Sequence, residues 1–126
     1  MMETPDGGVV QDRWEQLLRL LSARPRRQIV VSLLDAPADQ RLPLPAVALT
    51  SPSQADPERI AVELRHHHLP ALASADYIRW EHEPFCVRRG PRFSEPAAVM
   101  RLFQESVDQL PETLEQEWLV EAHESS

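Results

Sequence analysis

Few side chains of this chain can make or break bonds, and those few are clustered. His66, His67 and His68 are consecutive, and neutral imidazole is a frequent metal ligand. Successive helical residues point about 100° apart, so three in a row cannot hold one ion. His82, Cys86 or a second chain would have to complete such a site. The competing and favoured reading packs His68 in the core and turns His66 to solvent or a partner, with no resident metal. Cys86, the single cysteine, lies between Phe85 and Val87. A small buried hydrophobe is the plainer reading there, with redox sensing as the alternative. One cysteine excludes an internal disulfide and fits a reducing compartment, so a cytoplasmic location is expected. Glu81 and Glu83 flank His82, but no nucleophile, glycine-rich phosphate loop or Cys-x-x-Cys pair accompanies them. Neither enzymatic activity nor a cofactor is therefore expected.

Arginine supplies the remaining chemistry. All thirteen basic residues are arginine, against twenty acids and a net charge of −7. The charge is unevenly spread: residues 1–12 carry −3, residues 13–92 carry +3 and residues 93–126 carry −7. A mildly basic middle with acidic flanks is the result. Lysine-free acidic composition resembles that of proteins from salt-rich cytoplasms, and a GC-rich genome gives the same preference for arginine. A halophilic source is the favoured reading. No apolar run approaches the length of a bilayer span, and the first residues lack a basic then apolar export pattern, so no membrane partner is expected.

The elements that must position these groups follow from apolar spacing and proline placement. Asp12 is placed to cap a helix with Trp14, Leu17, Leu18 and Leu21 on one face. Pro25 opens a second, with Ile29, Val30, Leu33 and Leu34, ending near Asp35 before Pro37. From Arg41 to Ser53 prolines crowd the apolar residues, leaving room for one short helix over Pro45 to Leu49. Asp56-Pro57-Glu58 starts a longer helix towards Ala73. An α-helical period puts Ile60, Ala61, Leu64, His68, Ala71 and Leu72 on its inner arc, with Arg59, Glu63, His66 and Pro70 opposite. Tyr77 to Glu81 and Phe85 to Arg89 read as a hairpin around His82-Glu83-Pro84. Glu95-Pro96 opens a last helix with the stripe Val99, Leu102, Phe103, Val107 and Leu110, and Thr113 to Glu121 can add an acidic turn around Trp118. The chain thus divides into a flexible acidic start (1–12), one domain (13–110) and an acidic tail with room for a short helix (111–126). The fold class is mainly α with a small β-hairpin.

His67-His68-Leu69-Pro70-Ala71-Leu72-Ala73-Ser74-Ala75-Asp76-Tyr77-Ile78 resembles the end of the recognition helix and the entry to the wing in ArsR-like winged helix-turn-helix proteins. Leu64 to Leu72 is similar to the His-x-His-Leu-Pro-x-Leu signature of a largely uncharacterised haloarchaeal group of such domains. Leu21-Ser22-Ala23-Arg24-Pro25-Arg26-Arg27 is similar to that group's Leu-Ser-x-Arg-Arg-Arg-Arg stretch. The resemblance covers about residues 13–101. It departs from the parent family at Asp76, usually glycine there, and at the proline-rich Leu42 to Pro52, usually a scaffold helix.

What the resemblance implies is a DNA-binding transcriptional regulator with double-stranded DNA as partner. Arg59, His66 and His67 would face the major groove, and the wing residues Arg79, Arg88 and Arg89 would track phosphates. For each arginine the plain alternative is a solvated surface or an ion pair. Terminal helices commonly form the dimer seam in ArsR-like proteins, so a homodimer is expected, the alternative being ordinary packing of the last helix against Trp14 and Leu18. A rival function is a winged-helix protein-interaction module without DNA binding, favoured by Glu63 and the acidic flanks.

Overall fold

Prolines and capping residues decide where the helices of this chain begin. The computed structural model describes residues 3–48 and 56–114. Helix α1 spans Glu3–Leu20 and α2 spans Arg24–Asp35, the latter with Pro25 in its first turn, where a missing N–H costs nothing. Helix α1 begins well before the start expected from sequence, so Asp12 is an interior residue and not a cap, and the expected boundary at residue 12 falls inside the helix. Pro5 lies in its first turn, and Gly7 and Gly8 are tolerated at a propensity cost of about 1 kcal/mol each.

The sheet has one strand more than expected. Strand β1 is Leu42–Pro43, β2 is Ile78–His82 and β3 is Phe85–Arg89, in the antiparallel order β1-β3-β2. The expected hairpin is present with its second strand as placed, but β2 begins and ends one residue later than Tyr77 to Glu81, and His82 pairs with Phe85 across a turn of Glu83 and Pro84. The helix expected over Pro45 to Leu49 is reduced to a 3-10 turn at Ala46–Ala48, and Leu49 lies outside the described residues. Prolines 43 and 45 donate no hydrogen bonds, which suits an edge strand and disfavours a helix. The Ser32 hydroxyl donates to Val47 O at 3.3 Å and ties this turn to α2.

A long helical run fills the space between these elements. It comprises α3 (Pro57–Glu63), a π turn (Leu64–His68) and α4 (Leu69–Ser74). Asp56 caps it as expected, its Oδ1 accepting from the Glu58 amide at 3.1 Å. At the π turn the Leu69 amide reaches back to Leu64 O, five residues away. One extra residue per turn rotates everything after it by about 100° relative to an unbroken α-helix. Leu69, absent from the arc drawn at a uniform α period, is consequently fully buried beside Leu64 and Leu72.

These leucines meet Ile29, Val30 and Leu33 of α2 and Ile78 and Val87 of the sheet in one core. Helix α5 (Ser94–Glu105) closes it with Ala97 and Met100, and a 3-10 turn follows at Val107–Gln109. Of the stripe expected on this helix, Val99 and Val107 pack against the core while Leu102 and Phe103 are exposed, and Pro96, Ala97 and Met100 face inward. Ala97 and Met100, interleaved with the stripe in sequence, are the α5 side chains buried in the core beside α2. The expected turn around Trp118 lies outside the described residues, as does the tail beyond Leu114. No described helix is long and apolar enough to cross a membrane.

The entry to β2 and the exit from β3 cross at a tight point. Asp76 has φ 65, a left-handed conformation that Asp tolerates better than most residues. Its carbonyl accepts from the Arg92 amide at 2.7 Å, and the Gly90 amide donates to Tyr77 O at 3.0 Å. A Cβ on residue 90 would lie 2.6 Å from Asp76 O and 2.7 Å from Ile78 N, both backbone atoms. Gly90→Ala is expected to lower stability by about 2 kcal/mol or more, read as a fall in the urea midpoint at unchanged slope. An unchanged midpoint would show that the crossing can open without cost.

Candidate nucleic-acid interface

Two exposed surfaces carry the residues singled out in the sequence. The first is the outer side of the α3–α4 run. Arg59 is 78% exposed and its Nε lies 3.9 Å from Glu63 Oε2, a loose pair in solvent worth little. His66 and His67 are both exposed, and Val62 stands exposed between Arg59 and His66. The π turn matters for this face. Across its wider turn His66 follows Val62 by four residues, the spacing that places two side chains on one face, and His66 and His67 both remain exposed.

His68 belongs to the inner side. Its Nδ1 accepts from Arg26 Nε at 2.9 Å, which fixes the neutral ring with its proton on Nε2. Burial first, and then the Arg26 charge, hold His68 below the ordinary histidine value of 6.5, with a smaller opposing pull from Glu63 and a small like-charge contribution from His67. A histidine held low binds its proton more readily when unfolded. Its contribution to stability is therefore fully present above about pH 6.5 and lost as pH falls through the lowered native value. Urea midpoints of the wild type should drop between pH 7.5 and 5 by more than those of His68→Gln, which keeps an acceptor for Arg26 without titrating. Equal drops would remove His68 from the account.

The second surface is the outer face of the sheet. Side chains alternate along a strand, so Ile78, Trp80, Val87 and Arg89 turn inward while Arg79, Glu81, Cys86 and Arg88 turn outward. Arg79 and Arg88 are directly opposed across β2 and β3, and both are exposed. Arg41, just before β1, holds Glu81 at 3.5 Å. That leaves Arg79 and Arg88 with no ion pair among the described residues. Like charges directly opposite destabilise a sheet, so this pair is a folding liability unless an anion lies across it.

Arg89 departs from the set expected to track phosphates. It points through the inner face, and its Nη2 donates to Leu33 O at 2.9 Å, to Ala36 O at 3.0 Å and to Leu34 O at 3.4 Å, while Nε donates to Leu33 O at 3.3 Å. Its guanidinium also lies 4.9 Å from the centre of the Phe93 ring. The residue ends α2 by satisfying its last carbonyls. Arg27 does the same for α1, donating to Leu21 O at 2.7 Å. Arg65 sits 4.2 Å over the Phe85 ring and fastens the helical run to the hairpin, where Trp80 stacks against His82 with centroids 4.4 Å apart. Part of the positive charge counted in the middle of the chain is thus spent on internal contacts.

The structure groups Arg59, His66 and His67 on one surface and Arg79 with Arg88 on another. No described hydrogen bond, ion pair or ring contact joins the two groups. Sequence reasoning missed Val62, which has no polar atom to attract notice, and Arg41, whose strand was not foreseen. The partners considered for a histidine metal site are separated: His82 follows the inner face of the hairpin and Cys86 the outer, 3.9 Å from Glu81 Oε1. No group of three or more His, Cys, Asp or Glu side chains converges among the described residues. Cys86 is buried, as the plainer reading expected. Compared with protein-family models, with curated proteins and with solved structures, the chain finds no match.

Proposed function

We propose that this chain is a winged helix-turn-helix protein of the cytoplasm that binds double-stranded DNA as a homodimer and regulates transcription. The observation that carries the reading is the exposed Arg79–Arg88 pair, two uncompensated cations opposed on a hairpin, as a phosphate clamp requires. The element order supports it: two helices, an edge strand, a short turn, a long helix and a hairpin whose second strand pairs with the edge strand. The long helix would enter the major groove with Arg59, His66 and His67 towards base edges, while the hairpin holds the flanking backbone.

Overall negative charge opposes this at long range, and salt decides how much. At about 1 M salt the Debye length is roughly 3 Å, so the acidic flanks are screened and only groups in contact count. The test is a gel-shift assay against random-sequence duplexes at 0.1 M and 1 M KCl. A retained complex supports the reading. Absence of any complex at both salts overturns it and leaves the protein-interaction module.

The dimer part rests on a different surface. Trp14 and Leu18 of α1 and Leu102 and Phe103 of α5 expose large apolar groups beside one another, with Leu102 63% accessible. A contiguous patch of this kind favours a partner, and a second copy would place two recognition helices on paired half-sites. Leu102→Glu together with Phe103→Glu is expected to convert the dimer to a monomer, read as a halved mass by light scattering. A wild-type mass already monomeric at 100 μM would overturn the dimer.

A further inference from the structure

Six large apolar side chains are exposed among the described residues, and five of them are Trp14 and Leu18 on α1, Leu102 and Phe103 on α5, and Leu114 further along the chain. The sixth is Val62, 52% exposed on α3. Nothing in folding explains it. A β-branched residue is a poorer helix former than alanine, and an exposed valine gains little burial to offset that. Three residues before it is Arg59 and four after it is His66, the spacings of neighbours on one helix face. A single branched aliphatic group is thus held between two hydrogen-bonding side chains on the most exposed side of the helix.

We propose that Val62 is a specificity-determining residue that reads the 5-methyl group of a thymine in the major groove. The inference rests on the DNA-binding reading above. Thymine is the one base of the four that presents a methyl group there, and an apolar side chain recognises it by contact. Arg59 pairs most readily with a guanine edge. Three helical residues span about 4.5 Å, against about 3.4 Å per base pair, so the thymine lies within one or two base pairs of the position read by Arg59.

The experiment uses duplexes selected by the wild-type protein from a random pool at 1 M KCl. In the selected sequence each thymine is replaced singly by deoxyuridine, which removes the methyl and nothing else. At one position the wild-type affinity is expected to fall about fourfold, the value of one buried methyl group. Val62→Ala is expected to bind the thymine and deoxyuridine duplexes equally, with a melting temperature no lower than the wild type. Equal binding of both duplexes by the wild type overturns the proposal, as does discrimination that persists in Val62→Ala. If no duplex is selected at all, the DNA-binding reading fails and the proposal falls with it, an outcome distinct from the other two.

Discussion

Arg89→Ala is expected to destabilise the protein by about 3 kcal/mol, a fall in melting temperature of roughly 10 °C or more for a domain of this size. The carbonyls of the last turn of a helix have no intrahelical donors. At the end of α2 one guanidinium from β3 serves Leu33, Leu34 and Ala36 together, 53 to 56 residues along the chain. Leu33 is buried, and once the arginine is gone its carbonyl keeps only the long bond from the Ala36 amide at 3.3 Å. The cation also opposes the negative end of the α2 dipole and covers the Phe93 ring. Arg89→Lys should recover only part of the loss, since one ammonium cannot span three carbonyls as a planar fork does. Thermal melts of the two variants check both expectations. A variant Arg89→Ala with wild-type stability and weakened DNA binding would instead return Arg89 to the phosphate-tracking set.

Arg88 and Arg89 illustrate what was legible in the sequence and what was not. The hairpin itself was readable, because apolar and polar residues alternate on either side of a short turn. The same alternation implies that adjacent strand residues face opposite ways, so one of the two arginines had to point inward. Which one, and to what, depended on α2 ending beneath β3, a tertiary fact with no local signal. Capping by Asp56 and the start of α2 at Pro25 were legible because both act within four residues. The π turn was not: a uniform period of 3.6 residues describes Pro57 to Ser74 well enough to hide it, and only the burial of Leu69 exposes the change of phase. Strand β1 was hidden for another reason. Two residues, one of them a proline, carry no periodicity, and their pairing with β3 is fixed by packing. On α5 the spacing was legible, but not how the stripe divides between the core, which takes Val99 and Val107, and the surface, which keeps Leu102 and Phe103. Periodicity measures hydrophobicity alone, whether the face meets the protein's own core or another surface.

Reversing both exposed hairpin charges, Arg79→Glu with Arg88→Glu, is expected to weaken the proposed DNA binding roughly a hundredfold or more at 0.1 M salt, since two phosphate contacts would be lost and two repulsions gained. The neutral pair Arg79→Ala with Arg88→Ala separates function from folding. Each lost phosphate contact lowers the slope of log affinity against log salt by about 0.9, so the double variant should be shallower by about 2. Its stability should be unchanged or higher, because two like charges no longer face one another across β2 and β3. Alanine is a modest strand former, which offsets part of that gain. The combination is the discriminating result: lower affinity, a flatter salt response and an undiminished melting temperature cannot all come from a damaged fold. Arg41→Ala provides the internal control. It frees Glu81 from its partner at 3.5 Å and places an unpaired carboxylate on the outer face beside the two arginines. Binding should weaken through local neutralisation, with the loss smaller than that of removing Arg79 and Arg88 themselves. If instead the neutral double variant binds DNA with the wild-type affinity and salt slope, the opposed arginines are not a phosphate clamp, and the observation carrying the DNA-binding proposal is withdrawn.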